Sequence, residues 1–143
     1  MIEVTRTAKA APERVWALLS DIEKWPALLP TFNQITRLDG TGPIGIGTKF
    51  DVRQPGLPKA VYQITDWEPG KLFTWQSQAP GVVTTASHRV EPTADGTRIV
   101  LTLDWTGPLA RISTLLLGRK ARRYVSSEAE HIAQAAEDGE GTD

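Results

Sequence analysis

His88 is the residue best suited to acid–base chemistry, because an imidazole titrates near neutral pH. It can take a proton from a ligand or donate a hydrogen bond to a ligand carbonyl. If Arg89 and Glu91 point outward, strand alternation directs His88 inward and Ser87 to the opposite face, leaving Ser77 on a neighbouring strand. The sequence lacks the Gly-x-Ser-x-Gly elbow of serine hydrolases. We leave the catalytic residue unassigned, with His88 as candidate, and favour a structural histidine bonded to its sheet neighbours.

A basic cluster near the C-terminus is the second feature with chemical potential. Arg119, Lys120, Arg122 and Arg123 lie within five consecutive positions. Such a cluster can bind anionic headgroups, a phosphorylated ligand or an acidic partner. The alternative is a solvated helix face that pairs locally with carboxylates. We expect Arg122 to border the apolar side of the helix, where a buried guanidinium needs a partner acid or ligand oxygen.

Other kinds of site are disfavoured by residue type and spacing. The two histidines, His88 and His131, form no His-x-x-x-His pair, and the chain contains no cysteine, so we expect no metal site. The Gly-rich segment 42–47 precedes a predicted strand, whereas a phosphate cradle precedes a helix. The sequence therefore predicts no cofactor.

Composition limits the partners and the location. The chain has 143 residues and a net charge of −1, which gives no overall field for nucleic acid. No apolar run approaches the roughly 20 residues of a membrane span, and no targeting signal is visible, so we expect a cytoplasmic protein. The five tryptophans indicate a large core or an apolar pocket.

The order of predicted elements indicates an α+β fold. The patterns predict a first strand, two short helices, six further strands and one long helix. Pro69-Gly70 suits a type II turn, and Asp95-Gly96 suits a hairpin. We assign a single ligand-binding domain to residues 1–136 and a disordered acidic tail to residues 137–143.

The predicted sheet has one apolar face, which the long helix must cover. Its inward residues form either core or pocket wall, and the pattern does not separate the two. Val61 and Trp67 compete with Tyr62 and Ile64 for the inside of their strand. The candidate ligand-binding residues are Phe50, Val52, Tyr62, Ile64, Phe73, Trp75, Ser77, Ala86, His88, Val90, Leu101, Leu103 and Trp105 on the sheet, with Leu115 and Arg122 on the helix.

Two segments carry a resemblance to a known group. Residues 11–26 combine Pro-Glu-Arg-Val-Trp with a closing Trp-Pro pair, and residues 88–105 combine His-Arg-Val-Glu-Pro, Asp-Gly-Thr-Arg and Leu-Asp-Trp. These segments resemble the SRPBCC superfamily of polyketide cyclases, START-type lipid carriers and pollen-allergen-like proteins. The resemblance implies a helix-grip fold: a curved seven-stranded antiparallel sheet around a long C-terminal helix. It also implies an internal hydrophobic cavity and supplies no universal catalytic residue.

Three functions remain open from the sequence. The first is binding of a small lipid-like or aromatic, polyketide-like molecule in the cavity. The second is a polyketide cyclase or dehydratase, in which His88, Tyr62 or an arginine moves protons or polarises a carbonyl. The third is a regulatory interaction module that uses the basic helix. The expected partners are a small hydrophobic ligand and at most a weak homodimer, without nucleic acid.

Overall fold

The computed structural model describes residues 1–38 and 40–140. Within these residues, seven strands and three α-helices, with one turn of 3₁₀ helix at Ile22–Lys24, follow the predicted order. Their bounds are β1 (Ile2–Ala8), α1 (Pro12–Leu19), α2 (Trp25–Leu28), β2 (Gln34–Arg37), β3 (Lys49–Arg53), β4 (Ala60–Glu68), β5 (Leu72–Ala79), β6 (Val82–Thr93), β7 (Gly96–Thr106) and α3 (Ala110–Glu140).

All seven strands form one antiparallel sheet, in the order β1-β7-β6-β5-β4-β3-β2. Strands β2 to β7 are a meander, and β1 pairs along β7 from Ile2 with Leu103 to Ala8 with Thr97. The long helix and the short helices after β1 complete the predicted helix-grip architecture, which is confirmed.

Two turns were correctly placed by local chemistry. Lys71 N–H donates to the Glu68 carbonyl at 2.9 Å, and Gly70 has a φ of 79°, as a type II turn requires. The hairpin predicted at Asp95-Gly96 is also present, but the glycine is required by packing against β1 and not by the turn itself. Gly96 is the first residue of β7, and a Cβ there would lie 2.2 Å from the Ala8 carbonyl oxygen. Close approach of β1 therefore requires this glycine.

A bulge resolves the competition within β4. The pairing of β4 with β5 shifts register between Ile64 and Asp66, which reverses the alternation beyond that point. Ile64 is buried and Trp67 also packs inward, with its ring centroid 5.4 Å from that of Trp16. Val61 remains exposed. Ile64 before the bulge and Trp67 after it thus both contact the core.

One end of the hollow beneath the sheet is closed by Trp25. This ring is fully buried, and its Nε1 donates to the Leu19 carbonyl at 3.2 Å. It packs against Phe32 at 5.1 Å and Trp75 at 5.4 Å between ring centroids. Trp25 and Phe32 therefore close this end of the hollow, and we call these two side chains the aromatic plug.

The two halves of α3 differ in packing. Its buried residues begin at Ala121, and its second half packs on β1, β7 and α1. Arg6 pairs with Glu130 at 2.9 Å, and Lys9 N–H donates to the Glu137 carboxylate at 2.9 Å. The expectation of disorder from residue 137 is therefore wrong for 137–140, which continue the helix; residues 141–143 lie outside the described part.

Candidate ligand-binding cavity

A cavity of about 330 Å³ lies between the inner face of the sheet and the first half of α3. Strands β4 to β7 supply most of its wall, and the loop between β3 and β4 supplies one side of its mouth. The hollow exists because the second half of α3 rests on β1 and β7, while the first half spans the concave side at a distance.

Most of the predicted sheet residues line this cavity. They share the inward positions of their strands, in agreement with the alternation. They are Val52, Tyr62, Trp75, Ser77, Ala86, His88, Leu101, Leu103 and Trp105.

Four predicted sheet residues belong to the core and not to the cavity. Phe50, Ile64, Phe73 and Val90 are buried but do not line it. They pack with the aromatic plug under the short helices, so the same inward face is core at one end and cavity wall at the other. Periodicity cannot separate the two.

Neither of the two predicted helix residues lines the cavity. Leu115 is 84% exposed and Arg122 is also exposed. Another face of α3 lines the cavity, with residues that recur at helical spacing. They are Ser113, Leu117, Ala121, Tyr124, Val125 and Glu128. In the second half of α3, Val125, Ala129, Ile132 and Ala136 form a buried apolar stripe. The contacting face rotates as the helix crosses the curved sheet.

Several lining residues were missed, among them Phe32, Thr84, Leu117, Tyr124 and Glu128. Glu128 offered a signal. It lies three residues after Val125 and four before Ile132, so it interrupts the apolar stripe with a carboxyl group. An ionisable residue within such a stripe indicates a buried polar site.

Aromatic rings form one wall of the cavity. Tyr62 stacks on Trp75 with centroids 4.7 Å apart and an interplanar angle of 30°. The imidazole of His88 stacks on the ring of Phe73, which lies outside the cavity, with ring centroids 4.1 Å apart. It meets the Trp75 ring edge-on, with ring centroids 5.7 Å apart. This stacking fixes the orientation of the polar rings, so the cavity presents preset flat surfaces.

His88 is held neutral and in one tautomer. Its Nδ1 lies 3.2 Å from the Phe73 carbonyl oxygen, and because a carbonyl only accepts, Nδ1 carries the proton. Burial lowers the pKa of His88 to about 4, against a smaller raising effect of this hydrogen bond. Nε2 therefore carries a lone pair, which no group of the described residues occupies. The expected bond to a sheet neighbour exists, and one nitrogen remains for a ligand.

Glu128 is the carboxyl group of the cavity. Burial raises its pKa to about 8, and the Thr31 hydroxyl nearby opposes this rise. The Thr31 Oγ1 nevertheless meets no partner within hydrogen-bond geometry, so we regard the carboxyl as weakly satisfied. At pH 7 Glu128 is mostly protonated and can donate as well as accept a hydrogen bond.

Tyr62 is another polar residue of the cavity wall. Burial raises its pKa to about 12, and the nearby Glu128 adds to the rise, so the phenol stays neutral. Among the described lining residues, Lys59 is the only cation, and it lies exposed at the mouth. The cavity is thus apolar and uncharged at neutral pH, with an acceptor at His88 and hydroxyl groups at Tyr62 and Glu128.

Comparison with known proteins identifies the family. A sequence profile described as polyketide cyclase / dehydrase and lipid transport matches residues 1–137. The chain belongs to this family. The resemblance to the SRPBCC superfamily is confirmed with it, and so is the predicted helix-grip fold. The comparison with curated proteins found no match.

Solved structures agree on the fold of this polyketide cyclase / dehydrase member. The di-domain ARO/CYC protein StfQ from the steffimycin biosynthetic pathway has a TM-score of 0.79 and 16% identity; the match covers 98% of this chain and 51% of StfQ. The present chain therefore spans about half the length of StfQ. Norcoclaurine synthase from Thalictrum flavum, in complex with dopamine and hydroxybenzaldehyde, has a TM-score of 0.68 and 20% identity over 94% of this chain and 84% of its own. Ara h 8.0201 has a TM-score of 0.66 and 16% identity, over 92% and 95%.

Proposed function

We propose that the protein binds a compact, neutral, ring-containing molecule that carries a hydroxyl group. The observation that carries this proposal is the uncharged cavity, with an aromatic wall and a free imidazole acceptor at His88. The presence of two biosynthetic proteins among the structural neighbours is consistent with ligands of this kind.

The size of the cavity limits the ligand. Protein ligand pockets range from roughly 300 to 1,000 Å³, so a volume of about 330 Å³ lies at the lower end. A ring compound of two or three fused rings suits such a space, whereas a two-chain lipid does not. Affinity would come mainly from burial of apolar surface, at about 25 cal/mol per Å².

The polar groups limit the ligand further. A ligand hydroxyl can donate to His88 Nε2, and a second oxygen can accept from Glu128 or Tyr62. An anionic ligand would meet no cation among the described residues of the interior, because Lys59 lies at the mouth. Burial of an unpaired charge costs several kcal/mol, so the site should discriminate by charge.

We expect 2-naphthol to bind and 2-naphthoate, which has the same rings and a carboxylate, to bind at least about 20-fold more weakly. Titration calorimetry of both compounds at pH 6.5 measures the ratio, since His88 is neutral and Glu128 protonated there. Equal affinities, or no binding of 2-naphthol, would refute the proposal of a neutral ligand.

A second candidate function is dehydration of a β-hydroxyketone. The observation that favours it is the inverted order of proton affinities, with the carboxyl pKa at about 8 and the imidazole pKa at about 4. His88 Nε2 would remove the proton between the carbonyl and the hydroxyl-bearing carbon. Glu128 would protonate the leaving hydroxyl, which departs as water.

The test substrate is 3-hydroxy-1-tetralone, which becomes 1-naphthol when it loses water. We expect His88→Gln to lower its turnover by about 100-fold or more, as loss of a general base does. The same variant should still bind 2-naphthol, because the side-chain amide can occupy the site of the imidazole. Absence of turnover by the unsubstituted protein would leave binding as the function, whereas unchanged turnover by the variant would exclude His88 as the base.

A further inference from the structure

The first half of α3 has a solvent-facing surface that the cavity does not explain. We call it the outward face, and its residues recur at helical spacing. Its apolar members Ile112, Leu115 and Leu116 are 53%, 84% and 73% exposed. The outward face consists of Ile112, Leu115, Leu116, Arg119, Arg122 and Arg123.

These apolar residues are not misplaced cavity residues. Ser113, Leu117 and Ala121, on the opposite side of the same helix turns, line the cavity. The segment is therefore apolar on both sides, one toward the cavity and one toward solvent. Adjacent exposed leucines and an isoleucine at i, i+3 and i+4 form a contiguous patch, which in soluble proteins marks an interaction surface.

Charge is concentrated in the same region. Lys120 Nζ donates to the Gly56 carbonyl at 3.3 Å, and Leu109 N–H donates to the Gly81 carbonyl at 2.8 Å, so two loops flank the helix. The segments 54–61, 78–84 and 109–123 together contain six lysines and arginines and no carboxylate. Because the whole chain has a net charge of −1, the remainder of the sequence carries a net negative charge, and these segments carry a net positive one.

We propose that the outward face of α3 binds the surface of an anionic phospholipid bilayer. A helix with apolar side chains beside a row of arginines lies in the headgroup region, where apolar burial and charge attraction act together. A second copy of the chain is a poorer occupant, since a two-fold contact would bring the two basic clusters together. Across the described residues, no helix is both long and apolar enough to pass through a membrane.

The position of the cavity mouth fits this surface. Five lining residues at the mouth are exposed, and they lie on or next to the two connections that flank α3. Pro58 and Lys59 lie on the loop before β4, Val61 lies at the start of β4, and Gln78 and Ala79 end β5. A protein docked through the outward face therefore holds the mouth beside the bilayer. An apolar ligand can then pass between bilayer and cavity with little exposure to water.

The test uses co-sedimentation of the full chain with vesicles of phosphatidylcholine alone or with 30% phosphatidylglycerol. We expect binding to the anionic vesicles only, and loss of that binding in 1 M salt. Arg119→Gln/Arg122→Gln/Arg123→Gln should weaken the partition coefficient by about 100-fold. Leu115→Ala/Leu116→Ala should weaken it by about tenfold or more.

Matched control variants remove positive charges or exposed apolar side chains at positions away from the outward face. Lys24→Gln/Lys71→Gln/Arg89→Gln takes the same charge from exposed positions, and we expect at most a threefold effect. Leu38→Ala/Ile46→Ala removes exposed apolar groups near the opposite end of β3 from the mouth, and we expect no effect. Failure to bind anionic vesicles, or equal losses in control and test variants, would overturn the proposal. The proposal would also be overturned if Leu115→Ala/Leu116→Ala changed a dimer into a monomer in sedimentation velocity and left binding to anionic vesicles unchanged.

Discussion

Replacement of Glu128 by glutamine is expected to stabilise the protein by about 3 kcal/mol at pH 7 and hardly at all at pH 4.5. Burial raises the pKa of this carboxyl from 4.5 to about 8. Between those values the unfolded chain has released its proton and the folded protein still holds it, so stability falls as pH rises. Glutamine keeps the shape and removes this penalty, since it cannot ionise.

His88 contributes a slope of the opposite sign. Burial lowers its pKa from 6.5 to about 4, so between these values only the unfolded chain is protonated and stability rises with pH. The two slopes oppose each other between pH 4.5 and 6.5, where we expect a shallow profile. From pH 6.5 to 8 only the carboxyl acts, and stability should decline.

Urea denaturation at pH 4.5 to 8.5 measures both profiles. The stability gain of Glu128→Gln should grow with pH and level off above pH 8. The control is Glu130→Gln on the same helix, because the exposed Glu130 pairs with Arg6 and has a lowered pKa. The Glu130→Gln substitution should cause a small loss of stability that is nearly constant across the neutral range and disappears only below pH 4.5, where the folded carboxylate takes up its proton. Parallel profiles for Glu128→Gln and the unsubstituted protein would contradict the buried, protonated carboxyl.

Strands and turns were predictable because their signals are local. Alternation placed the inward residues of β5, β6 and β7, and Pro69-Gly70 placed a turn that needs a positive φ. Gly96 shows the limit of such signals. Its position was found from turn propensity, whereas its necessity comes from the Ala8 carbonyl, which is distant in sequence.

The cavity face of α3 was harder to predict, because it depends on how a helix crosses a curved sheet. Leu115 was expected to face the cavity, but it points to solvent. The bulge in β4 is also a tertiary feature, since it allows Ile64 and Trp67 to point inward together. Division of the inward residues into core and wall depends on Trp25, which plugs only one end.

Replacement of Ala86 by tryptophan is expected to raise the dissociation constant of 2-naphthol by about 100-fold or more, because the new ring occupies the space of the ligand. Ala86 lies in mid-strand between Trp75 and Leu103 and lines the cavity. The indole enters open volume, so the cost in stability should stay below about 2 kcal/mol. Thr85→Trp introduces the same ring one residue earlier, on the outer face of the sheet.

Calorimetric titration of 2-naphthol into these two variants at pH 6.5 examines directly whether a vacant hollow beneath the sheet receives the ligand. We expect no measurable binding by Ala86→Trp and affinity within threefold of the unsubstituted protein for Thr85→Trp. Undiminished binding by a folded Ala86→Trp protein would place the ligand elsewhere and contradict the account.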